Sequence, residues 1–320
     1  MNNQTPFTTI IDDFVEFKRT SGYKYDSMLG LLRQLEMFLA ERGVQSFKLD
    51  RNIIDEWCRQ RPFESRSTYS VRVSLTRQFV TFLVSSGYEA AMPESVRNAR
   101  NNHFVPYIFS HDEINRILEV IDNLQANKKY NSKEIYPVLF RMLYGCGLRI
   151  GEALALKIED VDLTKGILNI KHAKYDKKRL VPMSESLTII CRNYSDNNLV
   201  GIPSNEFFFR HEHGGSRNKG TVATRFKTTL WECGIPYMGK GKGPRLHDIR
   251  HTFCCHSFKQ MSDNNIDLYC ALPILSTYMG HATIRATERY LRLTLDIYPE
   301  MERKIEHFSG NIYPEVQYDE

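Results

Sequence analysis

Apolar residues recur at three- and four-residue steps through almost all of the first hundred positions, and then the pattern breaks. Met28, Leu31, Leu32, Leu35, Phe38 and Leu39 show it best, lining one face of a single helix. The spacing predicts helices near 7–20, 26–42, 51–60 and 65–86, joined by short polar turns into a small bundle. The break falls in AMPESVRNARNNHFVPY, residues 91–107, where two prolines and adjacent asparagines leave little periodicity and mark a linker. Ser110 and Glu113 then form a capping box that opens a new helix. Helical patterns follow at 133–145, 184–194, 219–232, 247–260 and 283–293, with β-branched strands ILNI (167–170) and RLVP (179–182) between them. The expected fold is therefore mainly α, a helical bundle followed by a mixed α+β domain with a small sheet. We place the domains at 1–95 and 108–298, with 96–107 as linker and 299–320 as a tail.

Composition narrows the class. With 42% hydrophobic and 25% charged residues in 320, the chain has enough apolar material for two cores. The start lacks the basic and apolar regions of a signal peptide, and no stretch approaches the ~20 apolar residues of a membrane helix, so a cytoplasmic protein is expected. Seven cysteines, none in a C-x-x-C pair, read as reduced and mostly buried thiols. His211, His213, Cys254, Cys255 and His256 have spacings that match no structural zinc pattern, so neither metal nor cofactor is expected.

The net charge of +5 is mild, but it is unevenly spread. Residues 210–250 hold nine Lys/Arg, among them Arg225, Lys227, Lys240, Lys242 and Arg245, against three acids. The last 25 residues hold seven acids against Arg303 and Lys304. Arg66, Arg72 and Arg77 lie on the fourth predicted helix with no acid before Gly87, so that helix reads as a phosphate-contacting face or as solvated surface. A basic working surface with an acidic tail suits a nucleic-acid partner.

Four pieces could carry phosphate chemistry. LYGCGLRIGEALAL puts Arg149 on a turn at the start of a helix, with Glu152 as a candidate partner. Arginine suits a phosphodiester because its planar fork donates bidentately and stays charged. IKHAKYDKKRLVP is a basic turn with Lys174, Lys177 and Arg179. PRLHDIRHTF places His247 and Arg250 at i, i+3, and MGHATIRATERYLRL sets Tyr290 nine residues after His281.

In their order these four pieces resemble the tyrosine recombinase (phage integrase) family. GLRIGEALAL is similar to the first arginine box, LHDIRHTF to the His-x-x-Arg box, and MGH with its later tyrosine to the last box. AKYDKKRLVP is similar to the family's β-hairpin, although Ala173 and Tyr175 replace its flanking glycines, which keeps Lys177 beside Lys174 as candidate catalytic lysine. Residues 7–100 resemble the core-binding, SAM-like bundle. The stretch Phe253 to Leu275 is long for compact Xer-type members, and Leu-Arg-Leu follows Tyr290 in place of the frequent Thr-His. These departures lean toward mobile-element integrases and transposases.

The resemblance implies that Tyr290 attacks a DNA phosphate to form a 3′-phosphotyrosyl bond, with Arg149, Arg250 and His281 on the phosphate. Lys174 or Lys177 protonates the leaving 5′ oxygen, His247 manages the tyrosine or returning hydroxyl proton, and Glu152 orients its neighbours. It further implies double-stranded DNA as partner, clamped between the two domains, a homotetramer on two duplexes, room for an accessory directionality factor, and a place on the bacterial nucleoid. A dimer-resolving Xer-like enzyme, a type IB topoisomerase and a catalytically idle DNA-binding regulator are the alternative readings.

Overall fold

The computed structural model describes residues 6–23, 25–96, 105–124, 132–171, 178–211, 213–236 and 243–298. The chain divides into two compact units, Met1–Phe104 and Val105–Glu320.

The first unit holds α1 (Pro6–Thr20), α2 (Asp26–Glu41), α3 (Arg51–Cys58) and α4 (Arg66–Ser85), each within two residues of its expected bounds. Their apolar faces meet in one core of Phe7, Phe14, Leu35, Leu39, Ile54, Trp57, Phe79 and Leu83. The Phe14 and Phe79 rings meet edge-on at 5.4 Å. Ser65 starts α4 by accepting the Thr68 N–H, and Leu49 bridges to Ala90 beyond the helix.

The fourth helix does not present its three arginines together. Arg72 is 1% exposed, pairs with Glu64 at 2.7 Å and donates to the Trp57 and Arg59 carbonyls. Expected on a phosphate-contacting face, it is instead a strut between α3 and α4. A buried guanidinium needs an acid and carbonyls around it, and here the loop before α4 supplies them. Arg77 is half-buried and donates to the Pro93 carbonyl; of the three, only Arg66 is exposed.

The second unit begins with α5 (His111–Asp122), whose capping box forms as expected: Ser110 Oγ accepts the Glu113 N–H, and Glu113 accepts the Ser110 N–H. After it come α6 (Ser132–Gly145), α7 (Ile150–Ala155), β1 (Val161–Asp162), β2 (Ile167–Ile170) and β3 (Arg179–Pro182). The strands form one antiparallel sheet in the order β1-β2-β3, with Leu168 opposite both Val161 and Val181. Leu168, Ile170 and Val181 turn one face of it into the core.

Next are α8 (Glu185–Asn198), α9 (Lys219–Glu232), α10 (Asp248–Asp263), α11 (Leu268–Met279) and α12 (Ile284–Ile297). The expected strands and helices are all present, and among the described residues three elements are added: a short 3-10 helix at Ile158–Asp160, β1 and α11. The last three helices pack on one another through Cys254, Phe258, Ala271, Leu275, Met279, Tyr290 and Leu291. The long stretch after Phe253 is thus the rest of α10 and most of α11. Five of the seven cysteines are buried, Cys58 is half-buried and Cys270 is exposed. No described helix is long and apolar enough to cross a membrane.

Candidate active site

The site is built around one carboxylate. Between α6 and α7 the chain turns at Gly147, in the left-handed region at φ 57°. A side chain there would lie 2.3 Å from the Phe253 ring, so only glycine fits. Arg149 follows as the residue that caps α7. Glu152 folds back to accept its backbone N–H at 3.0 Å and its guanidinium at 2.7 Å. Two more arginines converge on Glu152: Arg179 from β3, bidentate at 2.9 and 3.2 Å, and Arg250 from α10 at 3.8 Å. Burial alone would push the Glu152 carboxyl up; the Arg179 and Arg149 donors outweigh it and hold the group at about 2.

Arg250 is 2% exposed and donates to the carbonyls of Gly147 and Met279, both at 2.6 Å. Burial, then the charge of Arg149, lowers it to about 10, so it stays cationic at neutral pH. Each of its terminal nitrogens carries a second hydrogen beyond those bonds. Arg179, expected to face DNA, has a side chain only 7% exposed; besides Glu152 it donates to the Tyr278 carbonyl at 2.9 Å. Its place is inside the site. It passes so close to Gly280 that a Cβ there would sit 2.9 Å from the guanidinium.

Three imidazoles and a phenol form a row beside these cations. His247 ends the loop before α10 and meets His251 edge-on, with centroids 4.7 Å apart. His251 packs on the Tyr290 ring at 5.2 Å, and His281 stacks on the same phenol at 5.6 Å and 12°. His281 follows the left-handed turn at Gly280, and Thr287 holds its Nδ1 at 2.7 Å. Burial, then neighbouring cations, lowers His247 and His281 to about 4 and leaves both neutral at pH 7. Tyr290 is 7% exposed; burial pushes its phenol up to about 12, against the pull of Arg250.

The structure therefore brings Arg149, Glu152, His247, Arg250, His281 and Tyr290 into one cluster. Lys174 and Lys177 lie outside the described residues, as do Lys240 and Lys242. Lys227 is exposed on α9; Arg225 there pairs with Glu232 at 2.8 Å, and Arg245 pairs with Asp248 at 3.1 Å. Among the described residues no group of three His, Cys, Asp or Glu is arranged to hold a metal. His256 has other partners, bonding Tyr144 at 2.8 Å and stacking on His111. The sequence reading passed over His251, although its spacing of four from His247 puts the two on one helix face.

A cluster of arginines around one acid, with a tyrosine at its edge, defines an enzyme of phosphodiester chemistry more readily than a simple binding module. Residues 108–295 match the phage integrase family, and the chain belongs to it, as a tyrosine-type site-specific recombinase. A putative integrase/recombinase, y4rB, of Sinorhizobium fredii is 27% identical over 309 residues, covering 94% of this chain and 97% of the relative. A tyrosine recombinase of Pseudothermotoga lettingae is 23% identical over 290 residues, covering 88% and 91%. The fold is shared with the Tn1549 transposon integrase in complex with transposon right end DNA: TM-score 0.64, 15% identity, 88% of this chain and 94% of that one. It is shared also with the XerH recombinase in its post-cleavage complex on palindromic difH substrate: TM-score 0.59, 19% identity, 80% and 72%.

Proposed function

We propose that this chain cuts and rejoins double-stranded DNA through a 3′-phosphotyrosyl bond to Tyr290, and that it serves the integration or excision of a mobile element. The observation that carries the chemistry is the convergence of Arg149 and Arg250 on Glu152, with Tyr290 beside Arg250. Glu152 holds the two guanidinium groups near each other against their repulsion, so a phosphate binding there meets both. Negative charge that grows on the phosphate oxygens is then met by donors already in place. His281 keeps Nδ1 on Thr287 and offers its other nitrogen to the same phosphate. Attack by the phenol oxygen releases a 5′-hydroxyl, and Lys174 or Lys177 supplies the proton for that oxygen. Because the phosphotyrosyl bond conserves the energy of the broken diester, rejoining needs no nucleotide.

For DNA contact the reading relies on Arg66, Arg225, Lys227, Lys240, Lys242 and Arg245 as phosphate ligands. Similarity to y4rB and to the Tn1549 integrase fold supports the mobile-element role, and the assembly it entails is a homotetramer on two duplexes, open to a directionality factor, in the bacterial cytoplasm. Relatives named XerA and XerD, at 23–27% identity, support a second reading as a Xer-type recombinase.

A duplex nicked near the crossover traps the covalent adduct, because the cut fragment diffuses away before rejoining. The expected result is an adduct with unmodified protein, none with Tyr290→Phe, and roughly 10²–10³-fold slower formation with Arg149→Ala. An undiminished adduct with Tyr290→Phe overturns the reading.

A further inference from the structure

Two imidazoles lie on the Tyr290 ring, and they are not equivalent. His281 has its Nδ1 committed to Thr287 at 2.7 Å and stacks on the phenol. His251 has a buried Nδ1 with no hydrogen-bond partner, and its Nε2 lies 3.8 Å from Asp248 Oδ1. Asp248 is fully buried, and Arg245 fixes it through backbone N–H and guanidinium. A carboxylate behind Nε2 favours the tautomer with the proton on that nitrogen, which leaves the lone pair on Nδ1. His247, the residue the motif suggests for proton handling, meets the His251 ring edge-on.

We propose that His251 is the base that takes the Tyr290 phenol proton, with Asp248 as the group that orients it. This rests on the reading of Tyr290 as nucleophile. Phenol, imidazole and carboxylate then stand in the order nucleophile, base, orienting acid, a chain that is commonly loose before substrate binds. In the forward step the O–H proton passes to His251 Nδ1, the phenol oxygen bonds to phosphorus, and the bond from phosphorus to the 5′ oxygen breaks. Rejoining returns the proton from the imidazolium to the departing phenolate.

The charged and titratable groups facing His251 are Arg245, His247, Asp248 and Arg250 from its own helix and the turn before it, and Arg289 and Tyr290 from α12. Burial is the largest cause that holds its imidazole neutral, followed by His247 and the arginines. A DNA phosphate set among those arginines offsets their charge and makes the imidazole a better acceptor.

The test measures single-turnover adduct formation on a nicked duplex with the full chain, carrying either tyrosine or a ring-difluorinated tyrosine at position 290. With tyrosine, His251→Phe is expected to slow adduct formation about 10²-fold or more at neutral pH while DNA affinity is unchanged. The fluorinated phenol, a stronger acid that depends less on a base, should recover at least tenfold of that loss. Equal slowing with both phenols, or no slowing, overturns the proposal. His251→Gln, which keeps a polar side chain but cannot carry the proton away, is read the same way should the phenylalanine variant fail to fold. Absence of any adduct with unmodified protein would instead defeat the reading of Tyr290 itself.

Discussion

Arg72 and Arg66 lie six positions apart on one helix, and burial gives them opposite roles. Removing Arg72 leaves the Glu64 carboxylate, 7% exposed, without its partner and the Trp57 carbonyl without its donor. Arg72→Ala should cost about 3–5 kcal/mol of stability in a denaturant melt. Arg66→Ala should cost much less in the melt, as an exposed residue, and lower DNA affinity in a titration, with a smaller salt slope. A sequence reports that a residue is cationic but not what surrounds it, so Arg72 and Arg179 read as DNA ligands when both are held inside by acids. The motif residues were legible because their chemistry fixes their spacing: His247 and Arg250 must share a helix turn, and Tyr290 must follow His281 by a fixed reach. His251 carried the same i, i+4 spacing signal as any helical neighbour, and only its contact with the phenol sets it apart.

At the scale of elements, the turn between α6 and α7 supports the site more than its length suggests. The Gly147 carbonyl orients Arg250, and a Cβ at that position would collide with Phe253 and approach Met279 Sδ at 2.9 Å. Gly147→Ala should therefore lower stability by roughly 2–4 kcal/mol, from left-handed strain and overpacking together, and slow adduct formation as well. A variant with unchanged melting and normal rates would contradict this role for the turn. Elements such as α11 and β1 escaped the sequence reading for physical reasons. In α11, LYCALPILSTYM is apolar on most sides and contains Pro273, so it shows neither a clean helical stripe nor a helix-friendly interior. It is a helix because one stripe, Leu268, Ala271, Leu272, Leu275 and Met279, packs against α10 and α12, while Tyr269, Cys270 and Ile274 stay exposed. With two residues, β1 is too short for any alternation to show. By contrast α1–α4 each bury one stripe, and their bounds could be read directly.

For the whole molecule, mild acidification, between pH 6.5 and 4, should act mainly on the second unit. His247, His256 and His281 are lowered to about 4, and His251 to about 3, by burial before any other cause; all four lie in Val105–Glu320. A group whose folded value lies below its unfolded value near 6.5 takes up a proton on unfolding. Its contribution to stability is full above that pH and is lost as pH falls toward 4. Glu152, held at about 2, adds a further loss below about pH 4.5. Calorimetry should show the thermal midpoint of this unit falling between pH 6.5 and 4, by roughly 2–4 °C for each kcal/mol lost; a midpoint constant over that window would refute the neutral, buried state of the imidazoles. The central claim concerns a bond, and mass spectrometry of the trapped adduct tests it most directly. After digestion, the nucleotide-bearing peptide is predicted to carry its phosphate on Tyr290, joined to a 3′ DNA end. A phosphate on any other residue, or one joined to a 5′ end, would contradict the account.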